Sequence, residues 1–135
     1  MAFCVMIVAG DLQQQTLLRT VVHTLEVETT VMSLSDAHSA LAHLRALEQS
    51  RRPDLIIAEG IMPVMSGWQL VRALKYTHHS FIPVILVTTS PFDEAVSGAR
   101  AISLRVGTAE CLTQPVTVDA LRAAIRGVIP GFMES

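Results

Sequence analysis

The sequence predicts an α/β fold: five parallel strands in one sheet, with helices on both faces. Two observations carry this expectation. Short runs rich in β-branched and apolar residues alternate along the chain with segments whose apolar residues recur at helical spacing. Three of the five short runs carry a continuous apolar stretch, the mark of strands covered on both sides. Crossovers between parallel strands are right-handed, so a βα unit repeated five times closes into a doubly wound sheet.

Strands are expected at Phe3 to Val8, Val27 to Ser33, Asp54 to Ala58, Pro83 to Thr88 and, on a weaker pattern, Glu110 to Thr113. The first helical segment is marked by Leu17, Leu18, Val21, Val22 and Leu25, the second by Ala37, Ala40, Leu41, Leu44 and Leu47. Leu70, Val71 and Leu74 mark the third, and Ala95, Val96, Ala99 and Ile102 the fourth. Leu121, Ala124, Ile125 and Val128 mark the fifth. Gly107 suits a C-terminal cap for the fourth segment, and Thr117 with Asp119 suits the start of the fifth. Ile129-Pro130-Gly131 reads as the edge of the domain, giving a domain over residues 1–129 and a tail or the first residues of a linker over 130–135.

Length and charge set further bounds. The 135 residues fit one domain with one core and leave no room for a second. Half the residues are hydrophobic, 16% are charged and the net charge is -2, so no basic surface for phosphate backbones is implied and no direct nucleic-acid partner is expected. The longest apolar runs, such as Phe3 to Ala9 and Ile82 to Val87, are too short to span a bilayer, and Met1-Ala2-Phe3-Cys4 lacks a basic signal-peptide start. A soluble, cytoplasmic protein without a membrane partner is expected. Cys4 and Cys111 lie in apolar stretches, which fits reduced, buried thiols better than a disulfide framework.

In open sheets of this kind, sites form beyond the carboxyl ends of the strands. Those ends carry Ala9-Gly10-Asp11, Glu59-Gly60, Thr88-Thr89-Ser90 and Thr113-Gln114-Pro115. Glu59, a lone carboxylate closing an apolar strand, therefore belongs to the functional rim. The stretches "PDLIIAEGIMPVMSG", "PVILVTT" and "GTAECLTQPV" together resemble the receiver domains of bacterial two-component response regulators, over essentially the whole chain. Pro53-Asp54-Leu55, Met62-Pro63, Gly67, Thr88, Gly107 and Pro115 match that family in register. The resemblance implies a flavodoxin-like (βα)5 fold with strand order 2-1-3-4-5. Cys4 and Cys111, on the first and fifth strands, would then stand about 14 Å apart, too far for a disulfide.

The resemblance also implies a chemistry that this chain departs from. Receivers hold Mg²⁺ on an acidic pair after the first strand and phosphorylate an Asp after the third. They stabilise the product with a Thr or Ser after the fourth strand and a Lys after the fifth. Laid on this sequence, the acidic pair falls on Ala9 and Gly10, with Asp11 one residue beyond. The acceptor falls on Glu59, the hydroxyl on Thr88 and the lysine on Gln114. The inward-swinging aromatic of many receivers falls on Cys111. Phosphoryl transfer rests on positioning and on charge neutralisation, so losing the metal ligands and the lysine together removes most of the available stabilisation. Loss of Mg²⁺ binding is expected, with Glu59 a fixed negative charge satisfied by neutral donors, the Gln114 amide and Thr88 hydroxyl being the candidates.

Other candidates are bland. His78-His79 are neighbours that rarely aim at one metal, and His38 and His43 are five residues apart, off a shared helical face. Trp68 is expected to pack at the start of the third helix. Thr88-Thr89-Ser90 has no nucleophile elbow around it, and neither a P-loop nor a dinucleotide-binding glycine motif is present. The reading is a pseudo-receiver without catalytic residues or cofactor. It would signal by phosphorylation-independent binding to a protein partner or to itself, through the face of the fourth helical segment, fifth strand and fifth helical segment. Two alternatives stand beside it: a residual phosphorelay receiver using Glu59 and Asp11, and a receiver-like small-molecule sensor whose pocket is opened by Ala9 and Gly10.

Overall fold

A computed structural model of the chain describes residues 3–47, 52–62, 64–75, 77, 81–88 and 109–132. It contains β1 (Phe3–Val8), α1 (Leu12–His23), β2 (Thr29–Leu34), α2 (Ala37–Ala46), β3 (Leu55–Glu59), α3 (Gly67–Lys75), β4 (Val84–Thr88), β5 (Ala109–Thr113) and α4 (Val118–Val128). Helix α4 is the fifth helical segment of the sequence; the fourth, Ala95 to Ile102, and Gly107 lie outside the described residues. All strand pairs are parallel and the order is β2-β1-β3-β4-β5, the flavodoxin-like arrangement expected.

The continuously apolar strands serve two cores at once. Side chains alternate across a strand, so successive residues feed opposite helix layers. Met6, Val8, Ile56, Ala58, Val84 and Leu86 pack with α2 and α3. Val5, Ile7, Leu55, Ile57, Ile85 and Val87 pack with α1 and α4. Trp68 packs against the first of these layers, as its position after Gly67 predicts.

Local chemistry sets where elements begin. Asp11, Asp36 and Thr117 stand just ahead of α1, α2 and α4, and each side chain accepts a hydrogen bond from the backbone N–H three residues on, at 2.8, 2.7 and 3.1 Å. Ahead of α3, Ser66 and Gln69 cap each other reciprocally: the Gln69 amide oxygen accepts from the Ser66 N–H at 2.8 Å, and the Ser66 hydroxyl accepts from the Gln69 N–H at 3.3 Å. Strand β2 starts at Thr29 rather than Val27, because the chain leaves α1 through Glu26 at a φ of 62° and Val27 is spent in that turn. Strand β4 starts at Val84 because Pro83 has no N–H to donate; its carbonyl accepts from Ile56 at 2.9 Å. Beyond α4 the chain turns at Gly131, and Phe132 lies 5.0 Å from Phe3 between ring centroids, packed against the α1 and α4 layer.

Candidate functional site: the carboxyl end of the sheet

Parallel pairing brings the strand ends to one rim. Val8 stands opposite Ala58, Glu59 opposite Val87, and Thr88 opposite Thr113. Backbone bonds tie the loops that follow: Gly60 donates to the Val87 carbonyl at 2.7 Å and Gln114 to the Thr88 carbonyl at 2.7 Å. Gly60 is required by close approach, since a Cβ there would lie 2.8 Å from the Thr88 methyl. The sheet thus gathers Ala9, Gly10, Asp11, Glu59, Thr88 and Gln114 at one end, with Cys111 three positions before Gln114 on β5.

The bonding among them differs from the sequence expectation in one respect. The Glu59 carboxylate accepts a 2.6 Å hydrogen bond from the Gly10 backbone N–H. Its neutral donor is therefore neither Thr88 nor Gln114. The Thr88 hydroxyl, on a buried side chain, donates to the Leu112 carbonyl at 3.3 Å. The Gln114 amide donates to the Gln14 side-chain oxygen at 2.7 Å. The physical reason is reach: the extra methylene of Glu over Asp extends the carboxylate from β3 to the end of β1, where Gly10 has no side chain to cover its N–H.

Two further positions are resolved by their surroundings. Ala9 is fully buried in the α1 and α4 layer, and its N–H donates to the Leu34 carbonyl at 3.0 Å, whereas Gly10 is exposed. Asp11 is exposed, and its carboxylate is engaged as the cap of α1. Cys111 and Cys4 are half-buried rather than fully buried, and neither forms a disulfide; the three strand spacings between them agree with the expected separation. Burial and the Asp54 carboxylate beside it push the Cys4 thiol above its ordinary value. His38 and His43 are exposed on α2, whereas His78, His79, Thr89 and Ser90 lie outside the described residues.

Sequence reasoning missed the glutamines of α1. Gln15 is buried, and its amide donates to the Ala9 carbonyl at 3.0 Å and to the Ser35 hydroxyl at 3.4 Å, joining the ends of β1 and β2. The signal was available: Gln15, Leu18, Val22 and Leu25 fall at helical spacing, so Gln15 is a polar residue on the buried stripe. Gln14, one residue earlier, carries the bond to Gln114.

Burial raises the Glu59 carboxyl above the ordinary value, the Gly10 hydrogen bond offsets part of that rise, and the neighbouring Asp11 charge adds to it. With its folded pKa above the unfolded one, this residue contributes stability fully present below the unfolded pKa and lost as pH rises through the folded pKa. Glu59→Gln keeps an oxygen for the Gly10 N–H without the charge. Its melting temperature is expected to exceed that of the wild type at neutral pH, the difference closing as the pH is lowered through the Glu59 titration. A variant less stable than wild type at pH 7 would contradict this account.

Comparison with known proteins agrees with the fold. The response regulator receiver domain family model matches residues 5–126, and the chain belongs to that family, the receivers of two-component signal transduction. It is similar to Protein PilH of Pseudomonas aeruginosa, 35% identical over 88 residues, covering 64% of this chain and 69% of that protein. It is also similar to the cyclic di-GMP phosphodiesterase response regulator RpfG of Xanthomonas campestris pv. campestris, 31% identical over 120 residues; the match takes in 88% of this chain and 30% of RpfG. Among solved structures, the Vibrio cholerae chemotaxis protein CheY4 superposes with a TM-score of 0.74 at 24% identity, covering 96% of this chain and all of that one. No helix among the described residues is long and apolar enough to cross a membrane.

Proposed function

We propose that this receiver domain signals through protein contacts without running an aspartyl-phosphate cycle, with Glu59 holding a permanent carboxylate where its relatives phosphorylate an Asp. The observation that carries the reading is the 2.6 Å bond from Gly10 to Glu59: the acceptor-position side chain is turned onto the strand end where the family's metal-binding acids stand. The donor set does not suit Mg²⁺, which asks for near-octahedral oxygen ligands. Ala9 and Gly10 bring no side-chain oxygen, Asp11 caps a helix, and Gln114 supplies a neutral amide in place of a lysine. Among the described residues no three His, Cys, Asp or Glu side chains gather at one point.

The same geometry weighs against a residual phosphorelay through Glu59 and Asp11, since both carboxylates already hold backbone N–H groups. Output is assigned to β5 and α4, together with the fourth helical segment, as the surface that meets a protein partner or a second copy. The domain itself is taken as residues 1–129, in the cytoplasm, with no catalytic step of its own.

The test uses Trp68, the single tryptophan, on the first turn after the loop that follows Glu59. Incubation with Mg²⁺ and acetyl phosphate is expected to leave the mass unchanged, and Mg²⁺ with beryllium fluoride to leave Trp68 fluorescence unchanged. A phosphoryl adduct, or a saturable fluorescence change abolished by Glu59→Gln, would overturn the proposal.

A further inference from the structure

Beside the rim lies a cavity of about 510 Å³ between α1 and the loop from β5 to α4. Leu17, Leu18 and Val21 wall it on one side, and Pro115 and Val116 on the other. Among the described residues its polar lining consists of Gln14, Thr20 and Gln114, and the eight described lining residues are all uncharged. The volume falls within the range that holds small organic ligands, and apolar walls with a few convergent polar groups are the usual build of such sites.

The two glutamines define the polar end. Their mutual bond uses the Gln114 NH₂ and the Gln14 carbonyl oxygen. The Gln14 NH₂ and the Gln114 carbonyl oxygen hold no hydrogen bond among the described residues. One free donor and one free acceptor therefore sit on adjacent side chains lining the same cavity. Thr20 adds no competing donor, since its hydroxyl is committed to the Thr16 carbonyl at 2.8 Å. Leu17 is 52% exposed, so the apolar wall can be reached from solvent.

We infer that this cavity is a binding site for an uncharged, largely apolar small molecule that carries a hydrogen-bond acceptor beside a donor. A charged ligand would lose its hydration to a lining with no opposite charge. An uncharged one buries its body against Leu17, Leu18, Val21 and Val116, and meets both free amide groups with its polar edge. Gln114 directly follows β5, so the occupant touches the residue whose backbone is tied to Thr88. The inference stands apart from the reading of Glu59, because no residue of the cavity bears that charge.

The full chain is titrated with 2-quinolinone, an uncharged fluorescent aromatic lactam whose carbonyl acceptor stands beside its N–H donor, and assigned Gln side-chain amide resonances are followed in parallel. A saturable change in emission is expected, together with shifts of the Gln14 and Gln114 NH₂ signals that saturate at the same affinity. Leu17→Glu, which puts a charge into the apolar wall, is expected to weaken binding by at least about tenfold. Thr20→Trp, on an exposed position, fills the space and gives the same loss without a charge. Val64→Glu, on the 89% exposed loop residue before α3, leaves binding unchanged. The inference is overturned by absence of saturable binding, by unmoved Gln resonances, by binding indifferent to both cavity variants, or by equal loss in Val64→Glu. It is also overturned if the chain self-associates through this face, with Leu17→Glu abolishing association and the fluorophore failing to bind.

Discussion

Gly67→Ala is expected to destabilise the domain by about 3 kcal/mol or more, the upper range for forcing atoms into a packed interior. Gly67 opens α3 and is buried, with its N–H bonded to the Gly60 carbonyl at 2.9 Å. A Cβ at this position would be driven against the carbonyl oxygen of Glu59, while standing 3.0 Å from the Glu59 carbonyl carbon and 2.9 Å from a Leu86 methyl. The obstacle is backbone of a central strand, held by β1 on one side and β4 on the other, so it cannot step aside as a flexible side chain would. Gly127→Ala makes the internal control: among the described residues its Cβ would meet only the Glu110 carboxylate at 3.2 Å, on a movable side chain, and alanine favours the helix by up to about 1 kcal/mol. Thermal denaturation should show Gly67→Ala melting lower by roughly 10 °C or more, and Gly127→Ala within a few degrees of wild type. A Gly67→Ala protein as stable as the wild type would mean that α3 is not seated on Glu59 as described.

If the proposed function holds, a combined variant, Ala9→Asp, Gly10→Asp, Glu59→Asp and Gln114→Lys, is expected to gain an activity absent from the wild type: Mg²⁺-dependent uptake of a phosphoryl group from acetyl phosphate. Each change restores a separate need, the metal ligands at 9 and 10, the shorter acceptor at 59 and the cation at 114. Single charge-stabilising groups are worth about 10² to 10³ in rate, so Glu59→Asp alone should remain unlabelled while the combined variant labels at least about a hundredfold faster. Asp at the fully buried position 9 brings an acid into an apolar layer, so the combined variant should melt below wild type without metal and recover part of the loss in Mg²⁺. Labelling of the single variant at a similar rate, or a combined variant blind to Mg²⁺, would mean that the rim is not assembled from these positions.

The site was legible in the sequence to the extent that it depends on strand ends. Val8, Glu59, Thr88 and Thr113 could be placed at one edge because apolar runs stop there and parallel strands share direction. Which donor meets which acceptor was not legible. Glu59 to Gly10 spans 49 residues and Gln114 to Gln14 spans 100, and the first bond turns on a methylene's difference in reach. Sequence spacing carries no information at that scale. The Ser66 and Gln69 capping box, by contrast, is a local signal, its two partners three positions apart in the sequence.

The sequence by itself determined the layered architecture, because the alternation of apolar periods is a one-dimensional signal. A continuously apolar strand must be covered on both faces, and the helical stripes between the strands supply the cover. It also determined the helix starts at Asp11, Asp36 and Thr117, where the residue that caps and the N–H it accepts lie three positions apart. Tertiary structure alone decided that Glu59 turns to β1, that Gln114 pairs with α1, and that an open volume lies between α1 and the β5 to α4 loop. Those outcomes depend on the distances between elements after packing: Ala9 is sealed by the helices that cover it, Gly10 leaves its N–H open to a longer carboxylate, and Leu17 is left facing a space that no other part of the described chain fills.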